Sequence, residues 1–559
     1  MLAYGRARLL TRITVPNRHV HVARNHKEDA RWPGWELVVG IEVHAQIKSS
    51  RKLFSGKHAD VTRTCTMYLG PPTETLVSGW YEPNAHVSAF DAAFPGTLPR
   101  LNPKCVELGV RTAIALDADV QERSAFDRKH YFYADLPSGY QITQQYAPIA
   151  RNGHLRLEKD DIAVRIKQVQ LEQDTGKSSF TPRNKLTAID LNRAGMALME
   201  IVSEPDMRSP EEAASYVRTL QALLRSIGSS DGNMEQGSLR CDVNVSVNRI
   251  GRPPGTRCEI KNLNSVKNMT VAITCEAFRQ IVLLDRGLPV SQETRGFDEE
   301  KAKTYALRSK EDAPDYRYMP DPNIPPLLLH KDYIKAIRDK MPELPDATRD
   351  RLLSQGLSER DVEVLMDVDS GREVGFDGEL GRGAVAYFDE VSRSRDPKAV
   401  VNWLDTSFTP GQNCQPADAS TLNRITHELL GQLAFRHETF KQNPISAEQM
   451  GDLVDLVQSQ KVTGTSGKTI LRHMLSTHTP DLPFKIARDL QLVAVSDDGA
   501  SLEGWCRDAI AALPAEADAV RRGNANVVNK IMGHVMKASR GTAKAQDARA
   551  MLLKLLQQS

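Results

Sequence analysis

A period-two alternation of apolar and polar residues recurs through the first 330 residues and constrains the fold more than any other feature. In LVVGIEVHAQI (37–47) the odd positions Leu37, Val39, Ile41, Val43, Ala45 and Ile47 are apolar, so Glu42, His44 and Gln46 share the opposite side of a strand. SLRCDVNVSV (238–247) sets Leu239, Cys241, Val243, Val245 and Val247 against Arg240, Asp242 and Asn244. RCEIK (257–261) turns Cys258 and Ile260 inward and Arg257, Glu259 and Lys261 outward. IAVRIKQVQLEQD separates Val169 and Leu171 from Gln170, Glu172 and Asp174. Such runs, punctuated by Gly and Pro, predict a strand-and-turn domain over about 35–330.

Two readings of the polar sides compete. Half-exposed antiparallel strands commonly carry a solvated charged face. Here, however, the sets are Glu/His, Arg/Asp, Glu/Asp and Glu/Lys, the groups that hold divalent cations and phosphate. Carboxylates hold Mg²⁺ together with water and nucleotide oxygens, while Arg and Lys offset charge on a transferring phosphoryl group. A sheet lined in this way predicts a catalytic basin, provided the strands are neighbours, which periodicity does not decide. The familiar nucleotide loop is absent: GTSGKT (464–469) has Val462 and DTGKSS (174–179) has Leu171 where the first Gly is required. The tandem Ser178–Ser179 lacks the Gly-rich surroundings of an amidase nucleophile and reads as a loop feature.

After PDPNIPP (320–326) the pattern becomes helical, as in Ala447 to Val462 and Val527 to Met536. QNPI (442–445) marks a second boundary, with Ser446 placed to cap the following helix, and 406–420 reads as a loop. At 559 residues the chain needs several cores, and no apolar stretch is long enough to span a membrane as a helix. The seven Cys form no C-x-x-C pair, which disfavours a disulfide scaffold or zinc ribbon and fits reduced thiols inside a cell. Overall charge is balanced, with 73 basic and 71 acidic residues, but its distribution is not. Residues 1–31 hold seven Arg/Lys and only Glu28 and Asp29 as acids, with Leu9, Leu10, Ile13 and Val15 interleaved. That composition predicts a mitochondrial transit peptide.

Long stretches of the chain resemble the B subunits of the aspartyl/glutamyl-tRNA amidotransferases. They include WELVVGIEVHAQIKSSRKLFS (35–55), FPGTLPRLN (94–102), FDRKHYFYADLPSGYQIT (126–143), LEQDTGKS (171–178) and DLNRAGMALMEIVSEPDMRSPEEA (190–213). GSLRCDVNVSV (237–247), EIKNLNSVKN (259–268) and DYRYMPDPNIPPL (315–327) continue the likeness, which with the leader points to the mitochondrial form. The resemblance implies an α+β architecture: an antiparallel β-rich, cradle-like catalytic domain over 35–330, a helical domain over 331–442 and an α-helical tRNA-binding tail domain over 443–559. It also implies a reaction in the mitochondrial matrix. ATP and Mg²⁺ serve to phosphorylate the side chain of Glu on misacylated Glu-tRNA(Gln), and ammonia from a partner amidase (the glutaminase component) then gives Gln-tRNA(Gln). A small third subunit completes the assembly.

Carried over residue by residue, the resemblance assigns Glu42, His44, Glu172 and Glu200 to metal, and Lys129, Arg240 and Lys261 to phosphate. Asp174, Asp242 and Glu259 are expected to hold metal-bound water or orient other groups. Gln170 and Gln173 stand where many bacterial members have His and Glu, the family's zinc-binding Cys pairs are absent, and 62–92 departs from the bacterial pattern as an elaboration or partner contact. Residues 521–559 contain eight Arg/Lys and one acid, Asp547. Val527, Val528, Ile531, Met532, Val535 and Met536 form an apolar helical face ended by Gly541. Arg521, Arg522, Lys530, Lys537, Arg540 and Lys544 remain to meet a tRNA backbone. A non-catalytic tRNA-binding scaffold is the alternative, disfavoured by carboxylates a scaffold does not need; a stand-alone ligase is disfavoured by the missing phosphate loop and glutaminase residues.

Overall fold

The computed structural model describes residues 29–56, 82–157, 162–181, 185–309, 315–404, 428–436, 438–493, 499–522, 527–539 and 541–558. Most of the expected leader, residues 62–81, the 406–420 loop and Arg540 lie outside the described residues. Strands in chain order are β1 (Trp35–Gln46), β2 (Asp119–Val120), β3 (Arg123–Ser124), β4 (Asp127–His130), β5 (Tyr140–Thr143), β6 (Ala150–Leu157), β7 (Ile162–Gln173) and β8 (Lys177–Thr181). They continue as β9 (Leu186–Asp190), β10 (Ala197–Ser203), β11 (Leu239–Arg249), β12 (Cys258–Leu263), β13 (Glu293–Asp298), β14 (Lys303–Ser309), β15 (Met319–Pro320) and β16 (Leu327–Leu328). Helices α1 (Pro103–Ala115), α2 (Pro210–Ser226) and α3 (Val266–Asp285) interrupt them.

Nine strands form one sheet in the order β14-β13-β12-β11-β1-β10-β7-β6-β2. Pairing is antiparallel except between β12 and β13, which α3 connects as a crossover, the connection a parallel pair demands. The odd residues of β1 face a core shared with α1, α2 and α3. Local chemistry starts these helices cleanly. Asn102 accepts from the Lys104 N–H ahead of α1, and Ser209 accepts from the Glu212 N–H ahead of α2. Pro103 and Pro210 occupy the first turns, where no N–H is required.

A three-stranded sheet, β15-β4-β5, lies over the polar side of the large one against β7. Glutamines of both layers bridge the open edge at the end of β7. Gln144 Oε1 accepts the Leu171 N–H at 3.1 Å, Gln141 Nε2 donates to the Gln173 carbonyl at 2.8 Å, and Gln173 Oε1 accepts the Ile142 N–H at 3.1 Å. Buried backbone groups must find such partners, so these side chains fix the cover at one height above the sheet.

Two further cores follow. The front core extends through Leu329 to Ile337, past the expected limit at 330. A second core runs from Leu352 to Leu492 and unites Tyr387 and Phe388 with Ile445 and Met450, so the expected divide at 442/443 passes through it. Tyr387 donates to the Ser446 carbonyl at 3.3 Å and Arg395 pairs with Asp455 at 2.7 Å across that line. QNPI looks like a linker because Pro and a capping Ser mark a helix start; Ser446 does cap Ala447–Gln458, but helix starts also occur inside domains. The third core, from Cys506 to Leu556, joins helices Gly499–Ala512, Pro514–Arg521, Val528–Ala538 and Ala545–Gln558. GTSGKT opens helix Gly464–Thr477, with Thr463 as its cap and Ser466 buried. Among the described residues no helix is long and apolar enough to cross a membrane, and Cys105, Cys241, Cys258, Cys275 and Cys506 are free thiols.

Candidate active site

Strand register turns the alternation into rows. His44 stands opposite Glu200 on one side and Arg240 on the other, and Glu200 stands opposite Gln170. Opposed residues in antiparallel strands project to the same face, so Gln170, Glu200, His44 and Arg240 cross the sheet in a line. Glu42 and Asp242 form the next row, and Glu172 lies on the far side, opposite Leu198. These polar groups are not solvated: Gln170 is 2% exposed, Glu172 3%, Asp174 4% and Asp242 6%. The small sheet covers the β7 groups, while Glu42, His44, Glu200 and Arg240 are half-buried, so the face is partly enclosed and not freely solvated.

Three of the four expected metal residues converge. Ligand atoms of His44, Glu172 and Glu200 lie within 4.8 Å of one another. Lys129, on the covering sheet, brings Nζ to 3.6 Å from Glu172 Oε2, and Gln141 donates to Glu172 Oε1 at 3.4 Å. Gln170 donates to Glu200 Oε2 at 2.6 Å and to Thr143 Oγ1 at 3.3 Å, so the Gln departure supplies a neutral donor to a neighbouring carboxylate. Burial and then the Glu172 charge push Glu200 up to about 7, against the pull of His44 and Lys129. Burial works against the Lys129 ammonium, but Glu172 and Glu200 outweigh it and hold its pKa above the ordinary lysine range. A buried and a half-buried carboxylate side by side carry more negative charge than one lysine offsets, and with an imidazole this donor set suits a hard divalent cation. The residues therefore fit Mg²⁺. Glu42 stands one row away and accepts from Asn244 Nδ2 at 3.2 Å, outside the close trio.

The remaining expected residues fall into two ion-paired sets flanking the trio. In one, Lys261 pairs with Asp242 at 2.8 Å and Glu259 at 3.0 Å. Burial opposes ionisation of Asp242, yet Lys261 and His44 outweigh it and leave the carboxyl below its usual range. In the other, the Asp174 carboxylate receives Arg240 at 3.0 Å and lies 3.4 Å from Arg193 Nε. Asp174 thus orients arginine side chains instead of joining the metal trio. Arg193 also donates to the Thr175 and Gly176 carbonyls at 3.0 and 2.7 Å.

Several of these groups escaped the strand-pattern argument. Arg193 lies in the quoted DLNRAGM stretch but on a turn, where no periodicity marks it. That turn is anchored by Lys52, whose side chain is wholly buried. Its Nζ donates to the Ala194 carbonyl at 2.7 Å, the His86 carbonyl at 2.9 Å and Asp91 Oδ2 at 3.1 Å. Gly195 adopts φ +79°, and a Cβ there would lie 2.2 Å from Asp91 Oδ1, so the turn needs glycine on both counts.

The tail surface is less basic than its sequence implies. Arg521 pairs with Asp518 of its own helix at 2.9 Å, and Lys530 with Glu516 of the preceding helix at 2.6 Å. Arg522 donates to the Asp518 carbonyl at 3.2 Å, while Lys537 is exposed and Lys544 half-buried. Val528, Ile531 and Val535 are buried as the helical face requires, and Gly541, at φ +81°, follows the helix.

The GatB/GatE catalytic domain model matches residues 37–335, and a GatB domain model matches 411–556. The chain is 55% identical to the B subunit of the mitochondrial glutamyl-tRNA(Gln) amidotransferase of Laccaria bicolor, covering 96% of this chain and 95% of that one. Identity is 43% to the protein of the same name from Mycosarcoma maydis, over 94% of this chain and 86% of the other. It is 41% to the B subunit of the aspartyl/glutamyl-tRNA(Asn/Gln) amidotransferase of Rhodospirillum rubrum, over 91% and 95%. With two domain models matched in order and 55% identity over nearly the full length, on a sheet that carries a row of acid, imidazole and basic groups, the chain belongs to the GatB family of amidotransferase B subunits.

Proposed function

We propose that this protein activates and amidates the side chain of Glu on misacylated Glu-tRNA(Gln), using ATP and Mg²⁺ in the mitochondrial matrix, with ammonia delivered by a partner amidase and the enzyme completed by a small third subunit. The family is that of an ATP-dependent, glutamine-hydrolysing tRNA amidotransferase. A carboxylate is a poor acyl electrophile, because oxide would have to leave. Its oxygen therefore attacks the γ-phosphorus of ATP, the bond to the β,γ-bridging oxygen breaks and ADP departs. Ammonia then adds to the carbonyl carbon, the bond to the phosphate oxygen breaks, and nitrogen loses a proton.

The observation that carries this reading is the convergence of His44, Glu172 and Glu200 within 4.8 Å beside Lys129. Those three would hold Mg²⁺, which supplies charge neutralisation for nucleotide and glutamyl oxygens. Lys129 enters from the opposite wall and offers a cation to phosphate. Arg240, held by Asp174, and Lys261, held by Asp242, flank the trio as fixed positive groups whose orientation is set before substrate arrives. The covering sheet limits water, so hydrolysis competes less with ammonia. In the tail, Lys537 and the rims of the Arg521 and Lys530 pairs are available for the tRNA backbone.

The test is to assemble the complete amidotransferase and supply Glu-tRNA(Gln), glutamine and ATP, following ADP and Gln-tRNA(Gln). Glu172→Gln is expected to lower product formation roughly 100-fold and raise the Mg²⁺ concentration needed, while glutamine hydrolysis by the amidase persists. Unchanged ATP-dependent amidation in Glu172→Gln would defeat the metal assignment.

A further inference from the structure

We infer that Tyr318 is a catalytic residue of this reaction, its phenol O–H donating to the glutamyl side-chain oxygen that is not phosphorylated. The inference rests on the amidation reading above and assigns a role to a side chain that reading leaves unused.

The covering sheet supplies the geometry. Its β15 and β4 pair antiparallel, with Met319 opposite Arg128 and Pro320 opposite Asp127. The ladder ends there, because the His130 N–H meets the Tyr316 carbonyl, one residue out of that register; Tyr318 immediately precedes Met319, and Lys129 is opposite Gln141 on β5. Residues opposed in this way share a face. Lys129 and Gln141 both reach Glu172, so theirs is the inner row of the cover; Lys129 Nζ also lies 5.3 Å from the centre of the Tyr316 ring, whose edge contact with the Tyr318 ring brings Tyr318 to that row. The Tyr318 ring is held in place by edge contacts with Tyr316 at 5.9 Å and Tyr146 at 6.1 Å between centroids. Burial raises its phenol to about 12, with Lys129, Glu172 and Glu200 among the charges acting on it, which again sets it at the basin. It is therefore a neutral donor at any working pH.

The chemistry calls for such a donor. The substrate brings a carboxylate to a pocket that already holds Glu172 and Glu200. Lys129 faces Glu172, and the Gln141 amide is engaged with Glu172 and the Gln173 carbonyl. In the inner row, the Tyr318 hydroxyl has no hydrogen-bond partner among the described residues. The oxygen it meets is the one on which negative charge gathers when ammonia adds to the carbonyl carbon; a fixed O–H aimed there stabilises that charge more than the ground state. As the C–O bond to phosphate breaks, the carbonyl re-forms and the phenol keeps its proton.

Tyr318→Phe removes only the hydroxyl. In the complete amidotransferase, kcat for Gln-tRNA(Gln) formation is expected to fall about 100-fold, with KM for Glu-tRNA(Gln) and ATP within about twofold and the urea unfolding midpoint unchanged. Tyr133→Phe, on the exposed stretch after β4, should keep wild-type kcat. A Tyr318→Phe kcat within about threefold of wild type, a loss confined to KM, or a loss tracking a lower unfolding midpoint overturns the inference. Failure of the wild-type complex to consume ATP would instead overturn the amidation reading itself.

Discussion

Replacing Lys52 by Met should destabilise the front domain by about 3–5 kcal/mol, because it strands a buried charge. Lys52 and Asp91 both have side chains with no exposure, at 3.1 Å from each other. Without the ammonium, Asp91 keeps the Ser55 hydroxyl at 3.1 Å and the Ser88 N–H at 3.3 Å but has no compensating cation among the described residues. The carbonyls of His86 and Ala194 lose a donor at the same stroke. At about 2–4 °C per kcal/mol for a domain of this size, the melting transition should drop by on the order of 10 °C. Urea unfolding of the Lys52→Met, Asp91→Asn and double variants completes a cycle. Neutralising Asp91 removes the stranded charge, so the double variant should be more stable than the sum of the singles by about 2 kcal/mol. A Lys52→Met cost below about 1 kcal/mol, or strictly additive variants, would refute the reasoning. Activity offers a second check, since the same lysine holds the turn that carries Arg193 to Asp174.

Two further outcomes follow from the charge arrangement. Glu276 is fully buried among Arg279, Arg295 and Gln280; burial would raise its pKa, but the hydrogen bonds and arginine charges win and depress it below the ordinary 4.5. Its stabilisation is thus complete above the unfolded value and lost as pH falls through the folded one, so Glu276→Gln should flatten the dependence of the urea midpoint on pH below about 4.5, and an unchanged slope would contradict this. In the tail, Lys537→Glu should weaken tRNA binding by the complete enzyme and reduce the salt slope by roughly one to two, read by filter binding across a salt series; the same salt slope as wild type would remove Lys537 from the interface.

Residue identity alone determined which groups could meet. Period two in β1, β7, β11 and β12 assigned each side chain to a face, and that follows from backbone pleating whatever the neighbours are. The helix start at Ser446 was equally local, because a cap is satisfied within one turn. Tertiary structure decided which faces oppose. It paired His44 with Glu200, left Glu42 one row off the trio, and turned Asp174 toward two arginines. It laid the 319–320 and 127–143 segments over the sheet, so that Tyr316 links Lys129 to Tyr318, and it merged residues on both sides of 442 into one core. Glu516 of helix Pro514–Arg521 reached Lys530 of the next helix in the same way, while Asp518 meets Arg521 within one helical turn; both draw down a basic surface that the last 39 residues alone overstate. Alternation is a short-range property of covalent geometry, whereas register, cover and ion pairing depend on contacts between residues far apart in the chain.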